Sequence, residues 1–313
     1  MSATTTATLP ITRLHLTARA EAPLSLPPYA GSMLRGAWGH ALLALAPLPH
    51  SSGQPCALHA SCPYCQVFAP PALPAHGLQK FSQMPAPYVI EPPTGGARRL
   101  APGETFTFSL VLMGHALAHL SALLQAWERA LRTGLGVQHS RCTLVNVADE
   151  ISLQPLLDEG KQLSFSPNPL PLPPTLGQHA TLQLTSPLRL QQQGKPAKAH
   201  NLDARTLLVT LARRWQLLQD VALGADAPQQ DFAQITAQAS AITLHDENLR
   251  WFDWGRFSQH QQQEMQFGGL LGSVHLEGDL SPFAPLLHLG QWLHVGKNAS
   301  FGLGGYRLSA SAA

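Results

Sequence analysis

The sequence predicts an α+β protein built from two successive βαββαβ units, and three observations support this prediction. Apolar and polar residues alternate through residues 9–20 and 105–113, a period typical of half-buried strands. Apolar residues recur at helical spacing through residues 31–45 and 116–131, and each of these stretches follows one of the strands. A stretch with five prolines, residues 164–175, then separates this half from a second half with a similar order of elements.

The first half is predicted to form one ferredoxin-like (RRM-like) domain over residues 1–163. Residues 47–103 hold many of the 27 prolines and a group of cysteines, and are predicted to be a long insertion with a short strand at 88–91. Residues 142–147 supply the last strand, which completes the βαββαβ order of this fold.

A second ferredoxin-like domain is predicted over residues 176–313, after a Pro-rich linker at 164–175. Asp203 is suited to cap the N-terminus of its first helix. The predicted elements are, in order, strand 180–190, helix 203–218, a strand pair at 249–256 and 264–276, helix 282–293 and strand 302–308. No sequence similarity links the two halves, so the duplication is inferred from the order of elements alone.

The composition excludes several classes of protein. Hydrophobic residues make up 44% of the chain and charged residues 12%, about half the usual share, so the chain is neither disordered nor polybasic. The net charge of +2 is weak support for nucleic-acid binding, and any basic surface must be local. The N-terminus has no apolar leader and no run of about 18 apolar residues occurs, so we expect a cytoplasmic protein without membrane contact.

The most informative segment is glycine-rich and lies near the end of the chain. Residues 294–306 read His-Val-Gly-Lys-Asn-Ala-Ser-Phe-Gly-Leu-Gly-Gly-Tyr. Glycines let a backbone approach a ligand closely, free N–H groups in such a loop can bind an anion, and a lysine among them adds a charge for a phosphate. The spacing is neither that of a nucleotide-binding P-loop nor that of a dinucleotide fingerprint. The alternative is a tight turn before an edge strand.

This segment resembles the terminal G-loop of the RAMP proteins of CRISPR systems, in particular that of the pre-crRNA-processing endoribonucleases. Residues 29–42, Tyr-Ala-Gly-Ser-Met-Leu-Arg-Gly-Ala-Trp-Gly-His-Ala-Leu, resemble the first helix of that branch with its Leu-Arg-Gly signature. Residues 56–68 resemble its cysteine-rich turn, with Cys-Pro-Tyr and a nearby Phe. The three segments come in the family's order, and the chain departs from the wider superfamily at His294, where glycine is common.

The resemblance implies a tandem ferredoxin-like fold and a metal-independent endoribonuclease that cleaves CRISPR precursor RNA within repeats. The 2′-OH would attack the adjacent phosphate and leave 5′-OH and 2′,3′-cyclic phosphate ends. The implied partners are CRISPR repeat RNA, the crRNA product and other CRISPR effector subunits, and no cofactor is required. The alternative is a non-catalytic RAMP subunit that holds crRNA in an interference complex.

Three residues are candidates for the proton transfers of this reaction. Histidine titrates near neutral pH and suits either proton role, and family members place such a histidine in or just after the first helix. His40 is therefore the first candidate and His50 its competitor, with a structural histidine as the alternative reading. Tyr29 is expected either to polarise the 2′-OH or to pack at the start of the helix.

Basic and glycine residues are the candidates for RNA binding. The G-loop would contact RNA through its backbone and Lys297, and Arg35 would bind a phosphate from the first helix. Arg98 and Arg99 follow two glycines and could steer phosphate, although solvated arginines are the alternative at all three positions. The G-loop candidates are Gly296, Lys297, Asn298, Ser300, Phe301, Gly302 and Gly304.

Four metal-ligand types follow one another closely in the insertion, at Cys56, His59, Cys62 and Cys65. Zinc takes such nitrogen and sulfur sets tetrahedrally, so the run predicts a structural zinc site. The spacing is tighter than that of a usual two-knuckle site, so reduced structural cysteines or a disulfide are the alternatives.

Overall fold

The computed structural model describes residues 9–47, 50, 56–70, 85–158, 161–162, 164–192, 194–246, 248–258 and 263–310. The chain forms two compact units that meet between residues 170 and 171, inside the Pro-rich stretch 164–175. Among the described residues, no helix is long and apolar enough to cross a bilayer.

The first unit is a ferredoxin-like domain. Its elements in chain order are β1 (Ile11–Ala20), β2 (Leu24–Leu26), α1 (Gly31–Ala44), β3 (Tyr88–Glu91), β4 (Arg98–Leu100), β5 (Thr105–Met113), α2 (Leu120–Thr133), β6 (Cys142–Asp149), β7 (Leu157–Asp158) and β8 (Lys161–Gln162). One antiparallel sheet has the strand order β3-β5-β1-β6. The pairs β2–β4 and β7–β8 are separate two-stranded ribbons.

The core of this unit lies between the sheet and its two helices. Leu14, Leu16 and Ala18 alternate along β1 and are fully buried, as the period of the sequence predicts. On the helix side, Trp38 of α1 stacks on Trp127 of α2, with ring centroids 5.5 Å apart and ring planes 12° apart. Large aromatic rings bury much apolar area, so this stack fixes α1 against α2.

The second unit repeats the same topology. Its elements are β9 (His179–Leu184), β10 (Gln191–Gln192), β11 (Lys195–Pro196), α3 (Ala204–Leu223), α4 (Phe232–Ser240), β12 (Thr243–His245), β13 (Arg250–Ser258), β14 (Gln263–Leu271), β15 (Ser273–Glu277), α5 (Ala284–Leu293) and β16 (Tyr306–Ala310). The antiparallel sheet has the order β12-β15-β9-β16, which corresponds strand for strand to the first sheet. The prediction of a tandem ferredoxin-like fold is confirmed.

The sequence prediction of this unit is wrong at several elements. The single strand predicted at 264–276 is two strands, because Gly272 at φ 131° breaks it, and a Cβ there would lie 2.3 Å from the carbonyl oxygen of Asn248. The predicted pairing of the two strands is confirmed, since β13 and β14 form an antiparallel hairpin. β12, which was not predicted, pairs with β15 in the main sheet. The last strand begins at Tyr306 rather than at residue 302, because the preceding glycines belong to a loop. Helix α4 was not predicted.

Candidate functional site

Helix α1 presents an open row of small and polar residues. Ser32, Gly36 and His40 are spaced by four residues and therefore share one face of the helix. His40 is exposed, and a Cβ added to Gly36 would meet no atom within 4 Å. In the part of the chain that the structure describes, the His40 ring makes no hydrogen bond. This face of α1 can therefore receive an elongated ligand close to its backbone.

Tyr29 lies two residues before α1 and is half-buried. Burial raises the pKa of its phenol well above the usual value, and the nearby charge of Glu91 raises it further. The phenol is therefore protonated at neutral pH. Tyr29 can donate a hydrogen bond, but its raised pKa argues against a role as general base.

Arg35 is half-buried on α1 and contacts two aromatic side chains. Its Nε donates to the Tyr88 hydroxyl over 2.8 Å, and its guanidinium carbon lies 4.3 Å from the centre of the Phe68 ring. A cation over an aromatic face is attracted by the ring quadrupole. Arg35 thus joins α1 to β3 and to the helical turn Tyr64–Phe68. The sequence predicted either a solvated arginine or a phosphate ligand at this position, and neither interpretation included this packing role.

The turn Tyr64–Phe68 packs closely on α1. The Phe68 ring lies 5.9 Å from Trp38 and 6.1 Å from Tyr88, centre to centre. A Cβ added to Gly39 would lie 2.2 Å from the Phe68 ring, so only glycine allows this approach. The sequence showed Gly39 next to His40 but gave no signal that Phe68 lies against it.

The cysteines of the insertion converge with His50. The ligand atoms of His50, Cys56, Cys62 and Cys65 all lie within 4.8 Å of one another, a donor set able to hold a metal ion. The His50 Nε2 atom is 3.1 Å from the Cys65 sulfur and 3.6 Å from the Cys62 sulfur. Burial raises the pKa of the Cys65 thiol to about 12, with further contributions from Cys62 and Cys56.

The predicted ligand His59 is not part of this cluster, which corrects the sequence prediction. Its Nδ1 lies 3.1 Å from the Gln66 side-chain nitrogen, and the same nitrogen donates to the His59 carbonyl oxygen. His50, predicted as a competitor for catalysis, takes the fourth place instead. Sequence spacing favoured His59 because it lies between the cysteines, whereas the fold of the insertion brings His50 to them.

Arg98 and Arg99 lie in the short strand β4 rather than in a flexible loop. They pair with Leu26 and Ser25 of β2, which ends a few residues before α1 begins. Both arginines are exposed. β4 therefore places two cations beside the segment that leads into α1.

The G-loop follows α5, and most of its backbone is paired within the second unit. Gly296 has φ 95°, and a Cβ there would lie 2.4 Å from the Arg189 carbonyl oxygen. Gly304 has φ 75°, and a Cβ there would lie 1.9 Å from the Val295 carbonyl oxygen. These glycines are therefore required for close backbone approach within the protein.

Most backbone amides of the G-loop donate to acceptors in the protein, so the prediction of a concavity formed from free N–H groups is wrong for these amides. The donors are the amides of His294, Val295, Lys297, Phe301, Gly302, Leu303, Gly304 and Gly305. The Lys297 side chain is exposed, whereas Gly302 and Gly304 are buried and Asn298, Ser300 and Phe301 are half-buried. Lys297 is thus the group of this loop that presents charge to solvent.

His294 occupies a backbone conformation that favours glycine, with φ 58° and ψ 158°. Its ring is buried, and its Nδ1 lies 3.1 Å and 3.2 Å from the carbonyl oxygens of Gly302 and Leu303. A protonated Nδ1 donates to both oxygens and ties the two ends of the G-loop together. The ring therefore makes hydrogen bonds that a glycine at this position could not make.

Two family models match this chain. A model described as an N-terminal domain, AF_1859_N, matches residues 9–169, just over half of the chain. A model described as CRISPR-associated endoribonuclease Cas6 matches residues 182–306. The second half of the chain therefore matches the model of the Cas6 family of CRISPR-associated endoribonucleases, which agrees with the resemblance to pre-crRNA-processing endoribonucleases.

Solved structures of this family share the fold. The chain is similar to Thermus thermophilus Cas6 at 15% identity and a TM-score of 0.54, with 97% of this chain and 100% of that chain covered. A Cas6 product complex matches at 16% identity and a TM-score of 0.54, with 95% and 99% covered. A partial Cas6-RT-Cas1–Cas2 complex matches at 16% identity and a TM-score of 0.55 over 97% of this chain, which spans 46% of that chain's length. A comparison with curated protein sequences finds no match.

Proposed function

We propose that the protein cleaves CRISPR precursor RNA within each repeat, without a metal ion in the reaction, and leaves 5′-OH and 2′,3′-cyclic phosphate ends. The observation that carries this proposal is the open row on α1. It combines an exposed histidine with a glycine that lets a backbone approach the helix. The row lies on the helix that resembles the first helix of the pre-crRNA-processing endoribonucleases.

The chemistry requires two proton transfers and an in-line geometry. The 2′-OH of the nucleotide 5′ to the cut loses its proton and attacks the phosphorus, while the 5′-oxygen of the next nucleotide leaves and takes up a proton. The RNA supplies both the nucleophile and the leaving group, so the reaction needs no added nucleophile and no redox step. A positioned histidine contributes typically about 10²–10⁴-fold to such a step.

We assign the proton transfer to His40. As imidazole it would accept the proton of the 2′-OH, and as imidazolium it would donate a proton to the leaving 5′-oxygen. Tyr29 would act as a hydrogen-bond donor to the RNA, since its raised pKa keeps the phenol protonated. His50 belongs to the cysteine cluster and is not assigned a proton role.

RNA binding would rest on cations from both units. Lys297 is the exposed charge of the G-loop, and Arg98 and Arg99 are exposed on β4. Contacts of this kind bind phosphates and fix the register of the RNA without reading its sequence. The proposed partners are repeat RNA, the crRNA product and other CRISPR effector subunits.

A cleavage assay with labelled repeat RNA tests the proposal. The protein is incubated with the RNA in EDTA, in parallel with an RNA that carries a 2′-deoxy substitution at the scissile nucleotide. We expect one cut in the first RNA, no cut in the second, equal binding of both, and a product whose 3′ end resists polyadenylation until the cyclic phosphate is removed. If EDTA abolishes cleavage and magnesium alone restores it, the proposed chemistry is wrong. Tight binding of the unmodified RNA without cleavage would instead indicate a RAMP subunit that only holds crRNA.

A further inference from the structure

The insertion of the first unit contains a set of donors that no step of the proposed cleavage uses. Three thiols and one imidazole nitrogen, from His50, Cys56, Cys62 and Cys65, lie within 4.8 Å of one another. Around a tetrahedral zinc ion with bonds of about 2.3 Å to sulfur and about 2.0 Å to nitrogen, a ligand nitrogen and a ligand sulfur are about 3.5 Å apart. The His50 nitrogen lies 3.6 Å from the Cys62 sulfur, which matches this separation, and 3.1 Å from the Cys65 sulfur, which is shorter than it.

The kind of ligand and its burial select the metal. Thiolate sulfur is a soft donor and imidazole nitrogen a borderline one, and both suit zinc but not magnesium or calcium. Cys62 and Cys65 are buried, at 0% and 7% exposure. Cys56 and His50 are half-buried. Four protein ligands fill a tetrahedral ion and leave no position for water or substrate, so this donor set is that of a structural centre.

We propose that His50, Cys56, Cys62 and Cys65 bind one Zn²⁺ ion as a structural centre of the first unit. Binding replaces the protons of the three thiols with the metal, so three protons leave per ion bound. The ion joins His50, which follows the end of α1, to Cys65 inside the turn Tyr64–Phe68 and to the two cysteines that precede this turn.

The proposed centre explains how the insertion is held on α1. The Tyr64 ring lies 5.0 Å from the His50 ring and 5.3 Å from the Phe68 ring, centre to centre. Phe68 in turn packs against Gly39 and under the Arg35 guanidinium. The ion therefore fixes the turn whose aromatic rings pack on the helix that carries His40, and it takes no part in the bond changes.

Metal analysis of purified variants tests the proposal. The protein, freed of any histidine tag and purified without added metal, is analysed by plasma mass spectrometry together with His50→Ala, Cys65→Ser and His59→Ala. We expect about one zinc per chain in the wild type and in His59→Ala, and loss of zinc in the other two variants. His59→Ala is the matched control, because it removes the histidine that lies between the cysteines in sequence but outside the cluster in space.

If a variant fails to fold, metal exchange and thiol reactivity of the wild-type protein still test the proposed zinc site. Cobalt exchanged into the protein should give the visible bands of a tetrahedral site and a sulfur-to-cobalt charge-transfer band. Three cysteines should react with a thiol reagent only after chelation. The proposal is overturned if folded protein carries no zinc above background and binds no cobalt, if mass spectrometry finds a disulfide among the three cysteines, or if His59→Ala loses the metal while His50→Ala keeps it. None of these outcomes depends on whether the protein cleaves RNA.

Discussion

Two glycines of α1 should respond in opposite ways to the same substitution. Gly36 faces open space, whereas a Cβ at Gly39 would lie 2.2 Å, 2.7 Å and 2.8 Å from three atoms of the Phe68 ring. Glycine to alanine in a helix interior gains about 1 kcal/mol of stability from helix propensity. Gly36→Ala should therefore raise the free energy of unfolding by up to about 1 kcal/mol.

Gly39→Ala gains the same propensity but must displace the Phe68 ring, which Trp38 and Tyr88 hold in place. Overpacking of this kind costs typically about 1–3 kcal/mol. Because propensity cancels between the two variants, the difference in stability between Gly36→Ala and Gly39→Ala should equal the packing term, about 1–3 kcal/mol.

Urea unfolding followed by tryptophan fluorescence measures this difference as a shift in midpoint at constant m-value. Repeating the pair in a Phe68→Ala background supplies the control, since removal of the ring removes the clash. There the two variants should agree within about 0.5 kcal/mol. Equal stability of the two variants in the wild-type background, or an unchanged difference without Phe68, would refute the packing of the insertion on α1.

Two further variants test the G-loop and the end of the first sheet. Lys297→Ala should weaken binding of repeat RNA and reduce the salt dependence of affinity by about one charge, with little change in stability; an unchanged affinity and salt slope would remove Lys297 from the RNA site. Asp149 is buried, which alone raises its pKa, but hydrogen bonds from Ser152, Thr12 and Asn168 outweigh this and hold the pKa below its usual range. Its contribution to stability is therefore full above about pH 4, the value in the unfolded chain, and is lost as pH falls through the lower folded pKa. Acid unfolding should be less steep in Asp149→Asn than in the wild type, and identical acid profiles would contradict this.

Periodic patterns were sufficient to predict most of the fold. The strands and helices that build both sheets show alternation or helical spacing, because one face of each packs on a core. The βαββαβ order then left few topologies open. The main errors lie in the second unit, where the helix α4 and the short strand β12 were missed, and where Gly272, at positive φ, divides a predicted single strand into β14 and β15.

The candidate site was only partly predictable, because its arrangement depends on contacts between distant residues. His40 and Lys297 are exposed as their predicted roles require. The fourth member of the cysteine cluster was misassigned, since spacing along the chain favours His59 and only the fold brings His50 near. The role of Arg35 depends on Phe68 and Tyr88, which lie 33 and 53 residues away in sequence. No local pattern contains these contacts.

The same limit applies to the G-loop. Glycine was predicted to open the backbone to RNA, but at Gly296 and Gly304 it opens the backbone to other carbonyl oxygens of the protein. A sequence shows that a position tolerates close approach without showing what approaches it. The strained His294 is a similar case, because its φ and its hydrogen bonds to the far end of the loop appear only in three dimensions.

Single-turnover cleavage of repeat RNA by His40→Ala, in the presence of EDTA, tests the central claim most directly. His179→Ala is the matched control, an exposed histidine of the second unit with no assigned role. The proposed mechanism predicts that His40→Ala folds, binds the RNA within a few-fold of the wild type and cleaves it about 10²–10⁴-fold more slowly, while His179→Ala cleaves normally. A folded His40→Ala protein that binds and cleaves the RNA at the wild-type rate would contradict it.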